Sequence, residues 1–475
     1  MITLSTIIAG RVQNSLLASN KYKLGLYGGE CNLYSRRLEH IYCKKGYFMK
    51  KTRSLAALIL AVSMCAVTAC SSGTAESSTV ESADSVASSQ ENSTADNYSD
   101  QSDEDSSQAT KPVTDFTTYV SNTVISTGNN FFIEKAENVT YRAYLPVEEY
   151  GELEYKFFFS NMVDSTYSKG KAAYVGRDGG DYTVSNATVA DGGTSVDDEI
   201  TSRTPVTFGG ESSKNVKSDE NYWSDPVTID IPDGHYLVWE WTVSGECIPC
   251  TKMSTLTSTT SSADGENFNY CDDIPLPQLI GAKRNVKHTL AAIGDSITQG
   301  CQTEFMQYEF WAAKIANQLG NDVSFFNCGL GWARASDASA NENWLSRVAQ
   351  YDTVIVAFGT NDIVSGKYGG KKSTAEEIES YLDTIVSYLT EKGCKVILFN
   401  APPQDFKEAN ENVRAAVNEK IPTIAKKYGA EYFDFSSLLS TADEPGKAVY
   451  GGHPNGEGGT VVANAFIKQF GNLFD

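Results

Sequence analysis

The chain has 475 residues, 41% of them hydrophobic and 11% aromatic, too many for one small core and enough for two domains. Lys and Arg number 39 against 60 Asp and Glu, a formal net charge of -21. Such acidity repels phosphate, so it argues against nucleic acid or anionic lipid as a partner and favours solubility.

Residues 1–48 carry no clear pattern and precede a complete targeting signal, so they are expected to be a mis-assigned translation start and are set aside. The signal spans 49–70, "MKKTRSLAALILAVSMCAVTAC", with Lys50, Lys51 and Arg53 ahead of an apolar stretch from Leu55 to Val62. Leu55 to Ala69 is 15 residues, short of the roughly 20 that a membrane-spanning helix needs. Val67-Thr68-Ala69-Cys70 resembles a bacterial lipobox, which implies lipidation at Cys70 and a lipid anchor on the extracellular face of the cell membrane. Residues 71–112 are Ser, Thr, Asp and Glu with almost no large apolar side chains. That composition cannot offset its ordering entropy and reads as a disordered, self-repelling tether.

From 113 to 285 the hydrophobic period is two. "NVTYRAYLPV" and "LEYKFFFSN" read as strands, and "DPVTIDIPDGHYLVWEWTV" reads as two more broken at Pro232-Asp233-Gly234. Gly-rich breaks separate them, so the segment is expected to be an all-β sandwich. Six cysteines follow Cys70: Cys247, Cys250, Cys271, Cys301, Cys328 and Cys394. "ECIPC" is a lone CxxC with no second ligand pair for zinc, so a disulfide involving Cys247, Cys250 or Cys271 is expected rather than a metal.

From 286 to 475 buried apolar runs alternate with amphipathic helices. "TLAAIG" reads as a strand, "YEFWAAKIANQLG" as a helix stopped by Gly320, and "VSFFN" and "TVIVAFG" as further strands. Ser373 to Glu376 reads as a capping box opening a helix with Ile378, Tyr381, Leu382, Ile385 and Leu389 on one face. "KVILFN", a helix over about 408–428, "EYFDF" and a helix through "VVANAFIKQF" complete the series. The expected fold is a doubly wound, flavodoxin-like α/β domain, whose reactive groups collect at the carboxyl ends of the strands.

Those ends carry Gly294-Asp295-Ser296, Cys328-Gly329-Leu330-Gly331, Gly359-Thr360-Asn361-Asp362 and, later, His453 in "GGHP". A hydroxyl, an imidazole and hydrogen-bond donors for an oxyanion are what ester hydrolysis needs. Each residue also has a plainer role to set beside that one. Ser296 is placed to cap a helix, Asn361 to hold a turn and His453 to pack, while Asp295 and Asp362 are expected to brace their loops through backbone N–H groups. Trp332 and Arg334 fit either a cleft wall or the surface.

"GDSIT", "GTND" and the late "HP" resemble, in order and separation, the blocks of the GDSL, or SGNH, hydrolase superfamily over roughly Val286 to Asp475. The resemblance implies Ser296 as nucleophile, His453 as base, and an oxyanion hole from the Ser296 N–H, the Asn361 side chain and the N–H of Gly331, or of Trp332 in the alternative register of "NCGLGW". Where the family usually has Asp three residues before the histidine, this chain has Tyr450. Asp443 or Glu444 then orients His453, or a backbone carbonyl does and leaves a Ser-His dyad, the arrangement favoured here. "YKFFFSN", "TPVTFGG" and "WSDPVTIDIPDGHYLVWEW" resemble the β-sandwich preceding the hydrolase domain in some secreted bacterial members, which implies an accessory domain that shapes the cleft or touches polysaccharide. The expected activity is hydrolysis of a carboxylic ester through an acyl-enzyme, with an acetylated carbohydrate as substrate and neither metal nor organic cofactor. A lipase or lysophospholipase and an inactive carbohydrate-binding surface protein are the alternatives. No phosphate-binding glycine loop with its lysine follows the first strand.

Overall fold

The structure is a computed structural model that describes residues 113–475 apart from 167–174, 254–255, 365–371, 405, 441–448 and 451–452, with the side chains of 449–450 also outside it. The expected signal with Cys70, the acidic tether, Asp443, Glu444 and the side chain of Tyr450 therefore lie outside the described residues. Everything described belongs to one compact unit, Asp103–Asp475.

The first half is antiparallel. Its longest strands, Phe131–Pro146 and Tyr236–Lys252, pair along most of their length, with a bulge between Ala136 and Val139. Strands Tyr182–Asp191 and Thr259–Ser262 extend that sheet on either side. A second sheet forms around Gly151–Ser160 and Leu279–Ala282. Alternation sends Tyr155, Phe157 and Phe159 inward, where Phe157 meets Trp239 at a ring separation of 4.7 Å and Phe159 meets Trp241 at 5.2 Å. Two antiparallel sheets facing each other through buried aromatics is the arrangement of a sandwich.

Cys247, Cys250 and Cys271, among which the sequence suggests a disulfide, are all free thiols. Cys247 and Cys250 are three apart on one strand, so their side chains leave opposite faces. Cys247 is exposed and Cys250 buried. Burial pushes the Cys271 thiol up to about 12.

The second half is a five-stranded parallel sheet of β1 (His288–Gly294), β2 (Val323–Gly329), β3 (Thr353–Ala357), β4 (Lys395–Phe399) and β5 (Glu431–Phe433), in the order β2-β1-β3-β4-β5. This is the flavodoxin-like order, whose connections reverse direction beside β1. The helices are α1 (Ser296–Gln299), α2 (Trp311–Leu319), α3 (Ala335–Ser339), α4 (Glu342–Val348), α5 (Thr360–Val364), α6 (Ala375–Glu391), α7 (Glu408–Tyr428) and α8 (Gly456–Phe470). Strand alternation sorts them onto two faces. Leu290 and Ala292 of β1 share a core with Trp311 and Ile315 of α2 and Phe466 of α8. Ala291 and Ile293 share the other with Ile378 and Leu382 of α6 and Val417 and Ile421 of α7.

Helix α6 begins one residue later than its sequence suggests. The capping box uses Thr374, whose hydroxyl accepts from the Glu377 N–H at 3.2 Å while its own N–H donates to Glu377 Oε2 at 2.8 Å. Both registers of "STAEE" satisfy the motif, and Ser373 N–H is instead engaged by the carbonyl of Asp362 at 3.0 Å. Of the expected face, Ile378, Leu382, Ile385 and Leu389 are fully buried and Tyr381 is half-buried, with Val386 completing the stripe.

The two halves share more than a boundary. Tyr308, just before α2, accepts from the Val124 N–H at 2.6 Å and donates to Glu148 at 2.5 Å. Buried Arg284 reaches Glu149, the carbonyl of Ser121 and the carbonyl of Val323. Among the described residues no helix is long and apolar enough to cross a membrane.

Candidate active site

Strand β1 ends at Gly294, and the chain turns into the one-turn helix α1. Asp295 is its N-cap, accepting from the Ile297 N–H at 2.9 Å. The capping role proposed for Ser296 therefore falls to its neighbour, and Ser296 stands at the first helical position with its hydroxyl directed elsewhere. Its Oγ lies 2.7 Å from His453 Nε2. His453 comes from the two-residue strand His453–Pro454, paired with Val449–Tyr450 and followed by α8, whose N-cap Asn455 accepts from the Gly458 N–H.

Two glycines let α1 lie directly on the sheet. A Cβ on Gly294 would sit 2.1 Å from Thr298 Oγ1 and 2.7 Å from the carbonyl of Ala357. One on Gly329 would sit 2.5 Å from the Gln299 backbone nitrogen. No side chain fits at either place.

Beyond β2 the chain makes a tight turn, Leu330 to Ala333. Leu330 N–H is held by the Gly294 carbonyl at 3.0 Å, and Ala333 N–H closes the turn on the Leu330 carbonyl at 3.1 Å. The residue in the left-handed conformation is Trp332, at φ +66°, rather than Gly331. A glycine is the usual occupant of such a position. Asn361, buried at the start of α5, donates from Nδ2 to the carbonyl of Ala333 at 3.0 Å. Its neighbour Asp362 accepts from the N–H groups of Ala335 and Ser336 at 2.8 and 3.1 Å. Asp295 and Asp362 are thus loop braces. Arg334 is not on the surface: it is buried in an ion pair with Asp337 at 2.6 Å. Trp332 is half-buried.

Three buried carboxyls lie beside the site. Burial, with the neighbouring Asp362 adding to it, pushes the Asp295 carboxyl up to about 7. Burial likewise raises Asp337, to about 6, against the pull of Arg334, and raises Asp362 against its two backbone donors. Among the described residues no group of three or more His, Cys, Asp or Glu is placed to hold a metal ion.

The structure therefore brings Ser296, Asn361, the Gly331–Trp332 turn and His453 to the carboxyl edge of β1, β2 and β3, where the strand order reverses. Two residues that sequence reading passed over also reach this edge, Asn130 and Thr166. Both come from the antiparallel half and hydrogen-bond the turn's carbonyls. The only local signal was a polar pair, Asn129-Asn130, immediately before an aromatic strand.

The parallel sheet thus presents a serine and a histidine in contact at its carboxyl edge. Residues 292–461 match the model of the GDSL-like Lipase/Acylhydrolase family. Comparison with curated proteins finds no match. Among solved structures, a member of the lipolytic protein G-D-S-L family from Veillonella parvula is 23% identical, with 38% of this chain and 98% of that one covered and a TM-score of 0.33. The aryl esterase of M. smegmatis is 21% identical over 39% of this chain and 99% of its own, TM-score 0.33. A mutant of an acetyl-xylooligosaccharide esterase from Geobacillus is 20% identical over 39% and 95%, TM-score 0.33.

Proposed function

We propose that the protein is a serine esterase that removes short acyl groups, acetyl above all, from carbohydrate at the cell surface. The observation that carries the reaction is the 2.7 Å contact between Ser296 Oγ and His453 Nε2. Ser296 attacks the ester carbonyl while His453 takes its proton. The oxyanion is met by the Ser296 N–H, by Asn361 Nδ2, which has a second hydrogen besides the one bound to Ala333, and by the N–H groups of the Gly331–Trp332 turn. His453 returns the proton to the departing alcohol. Water, activated by the same imidazole, then releases the acid from the acyl-serine. No cofactor enters these steps.

The substrate class rests on charge and targeting. A net charge of -21 disfavours anionic phospholipid surfaces and leaves neutral glycans accessible. The lipobox at Cys70 and the acidic tether of 71–112 support display outside the cell, where acetylated polysaccharide is met.

Steady-state hydrolysis of p-nitrophenyl acetate, butyrate and octanoate by the full chain, beside Ser296→Ala and His453→Ala, tests this. Turnover of acetate that is fastest of the three and disappears in both variants is expected. A folded wild type no better than Ser296→Ala on any ester overturns the esterase reading. Preference for octanoate overturns the short-acyl part alone.

A further inference from the structure

The antiparallel half is wired into the candidate site by a continuous run of hydrogen bonds. Gln299, the last residue of α1, donates from Nε2 to the carbonyl of Lys252 at 3.1 Å. The Lys252 N–H donates to Asn130 Oδ1 at 3.1 Å. Asn130 Nδ2 then donates to the carbonyl of Gly331 at 3.3 Å. One residue on, Thr166 Oγ1 lies 3.3 Å from the carbonyl of Trp332 and also faces the Asp337 carboxylate. The helix carrying Ser296 and the turn beside it are thus held from the same side.

Peptide planarity gives these contacts a directional consequence. The carbonyl of Gly331 and the N–H of Trp332 belong to one rigid plane and point in opposite directions. Fixing the carbonyl against Asn130 therefore fixes the heading of the Trp332 N–H, away from Asn130. A hydrogen bond to the carbonyl also polarises the peptide and strengthens its N–H as a donor. Fixing the carbonyl of Trp332 does the same for Ala333 N–H, which closes the turn on Leu330. The turn needs outside support, because a tryptophan at φ +66° is strained relative to an ordinary backbone.

We propose that Asn130 and Thr166 are positioning residues of the reaction: from the antiparallel half they hold the Leu330–Ala333 turn so that the N–H groups of Gly331 and Trp332 meet the oxyanion formed at Ser296. The proposal rests on the ester-hydrolysis reading above. Neither residue touches substrate; both act through the turn. The antiparallel half is then part of the catalytic apparatus and not only a glycan-binding accessory.

The test is steady-state kinetics of the full chain on p-nitrophenyl acetate, with the thermal midpoint of each variant recorded. Thr166→Val keeps the volume and removes the donor, and Thr166→Ser restores it. Asn130→Ala removes the second grip. We expect Thr166→Val and Asn130→Ala to lower kcat about 10- to 100-fold with KM within about twofold, since misaimed donors weaken only transition-state binding. Thr166→Ser is expected to recover most of the loss. In a Trp332→Gly background, where glycine adopts the turn unaided, Thr166→Val should cost less than in wild type. Folded Thr166→Val with kcat within about twofold of wild type overturns the proposal, as does a loss in KM alone. Should Asn130→Ala not fold, the Thr166 pair decides. A wild type no faster than Ser296→Ala is a separate result that defeats the esterase reading itself.

Discussion

The side-chain amide of Asn361 donates to the carbonyl of Ala333 at 3.0 Å, so the first turn of α5 is fastened to the turn that follows β2. Two strand ends are thereby held at a constant separation. An oxyanion donor is useful only if it is already aimed when charge develops, because reorganisation then adds nothing to the barrier. Asn361→Ala is expected to reduce kcat on p-nitrophenyl acetate by about 10²–10³-fold with little change in KM. Asn361→Asp should be no better, since it replaces the donor with an acceptor facing the Ala333 carbonyl. A change confined to KM would place Asn361 in substrate binding instead.

The glycine that ends β2 makes a second test. A methyl group at Gly329 would lie 2.5 Å from the Gln299 nitrogen and 2.7 Å from the Thr298 carbonyl carbon. Both are backbone atoms of α1, so relief requires moving the helix that begins with Ser296. Gly329→Ala is expected to cost about 1–3 kcal/mol of stability, as overpacking does. It should also cost activity beyond that loss, because the 2.7 Å contact with His453 opens as α1 shifts. Thermal unfolding and kcat measured on the same sample separate the two effects.

Much of this was legible in the sequence, and the reasons differ by element. Helix α7 matches the sequence reading at both ends, Glu408 and Tyr428, because Gly429 at φ +66° stops it. The parallel strands were legible as unbroken apolar runs, which two-faced burial requires. The start of α6 was ambiguous because two overlapping registers each complete a capping box. The strand ends bearing Ser296 and Asn361 stood out because short motifs sit where apolar runs stop, and His453 because it lies in a late Gly-rich "GGHP". Whether Gly331 or Trp332 supplies the oxyanion N–H was not legible, because either register of "NCGLGW" offers a backbone N–H, which carries no residue identity; the left-handed residue is Trp332, in a turn whose carbonyls are bound by Asn130 and Thr166. Those two side chains were invisible for the same reason. They bind backbone carbonyls, which carry no residue identity, across 201 and 166 positions of chain.

The buried carboxyl of Asp295 gives the protein a pH signature. Its pKa is about 7 in the folded chain against 3.8 for an unperturbed aspartate, so between those values the native state holds a proton that the unfolded state has released. Stability must then fall as pH rises from about 4 to about 7 and be level with respect to this group above that. Asp295→Asn removes the titration and keeps a good N-cap for Ile297. The variant is expected to be more stable than wild type at pH 8, by on the order of 1–4 kcal/mol, with the advantage vanishing near pH 4. Denaturant unfolding of both proteins at the two pH values measures this. An advantage equal at pH 4 and pH 8 would rule out the carboxyl's ionisation as its source.

A buried ion pair joins Arg347 of α4 to Asp164 of the antiparallel half. Arg347 Nη2 lies 2.5 Å from Asp164 Oδ2, with side-chain exposures of 4% and 0%. Asp164 Oδ2 also accepts from the Asn129 N–H, and the Asp164 carbonyl accepts from Asn341 just before α4. Desolvation nevertheless raises the Asp164 carboxyl, so Arg347 only partly offsets its burial. Removing the cation alone strands that charge. Arg347→Met is expected to destabilise the chain by about 3–5 kcal/mol. The deficit should be smaller at pH 5 than at pH 8, because protonation of Asp164 removes the charge left without its cation. Adding Asp164→Leu should recover most of the loss, since a pair replaced by apolar side chains is often near neutral. Activity is the more telling readout of the double variant. Stability regained without kcat would mean that the pair sets the alignment of the Leu330–Ala333 turn; stability and kcat regained together would mean that packing at this junction is enough.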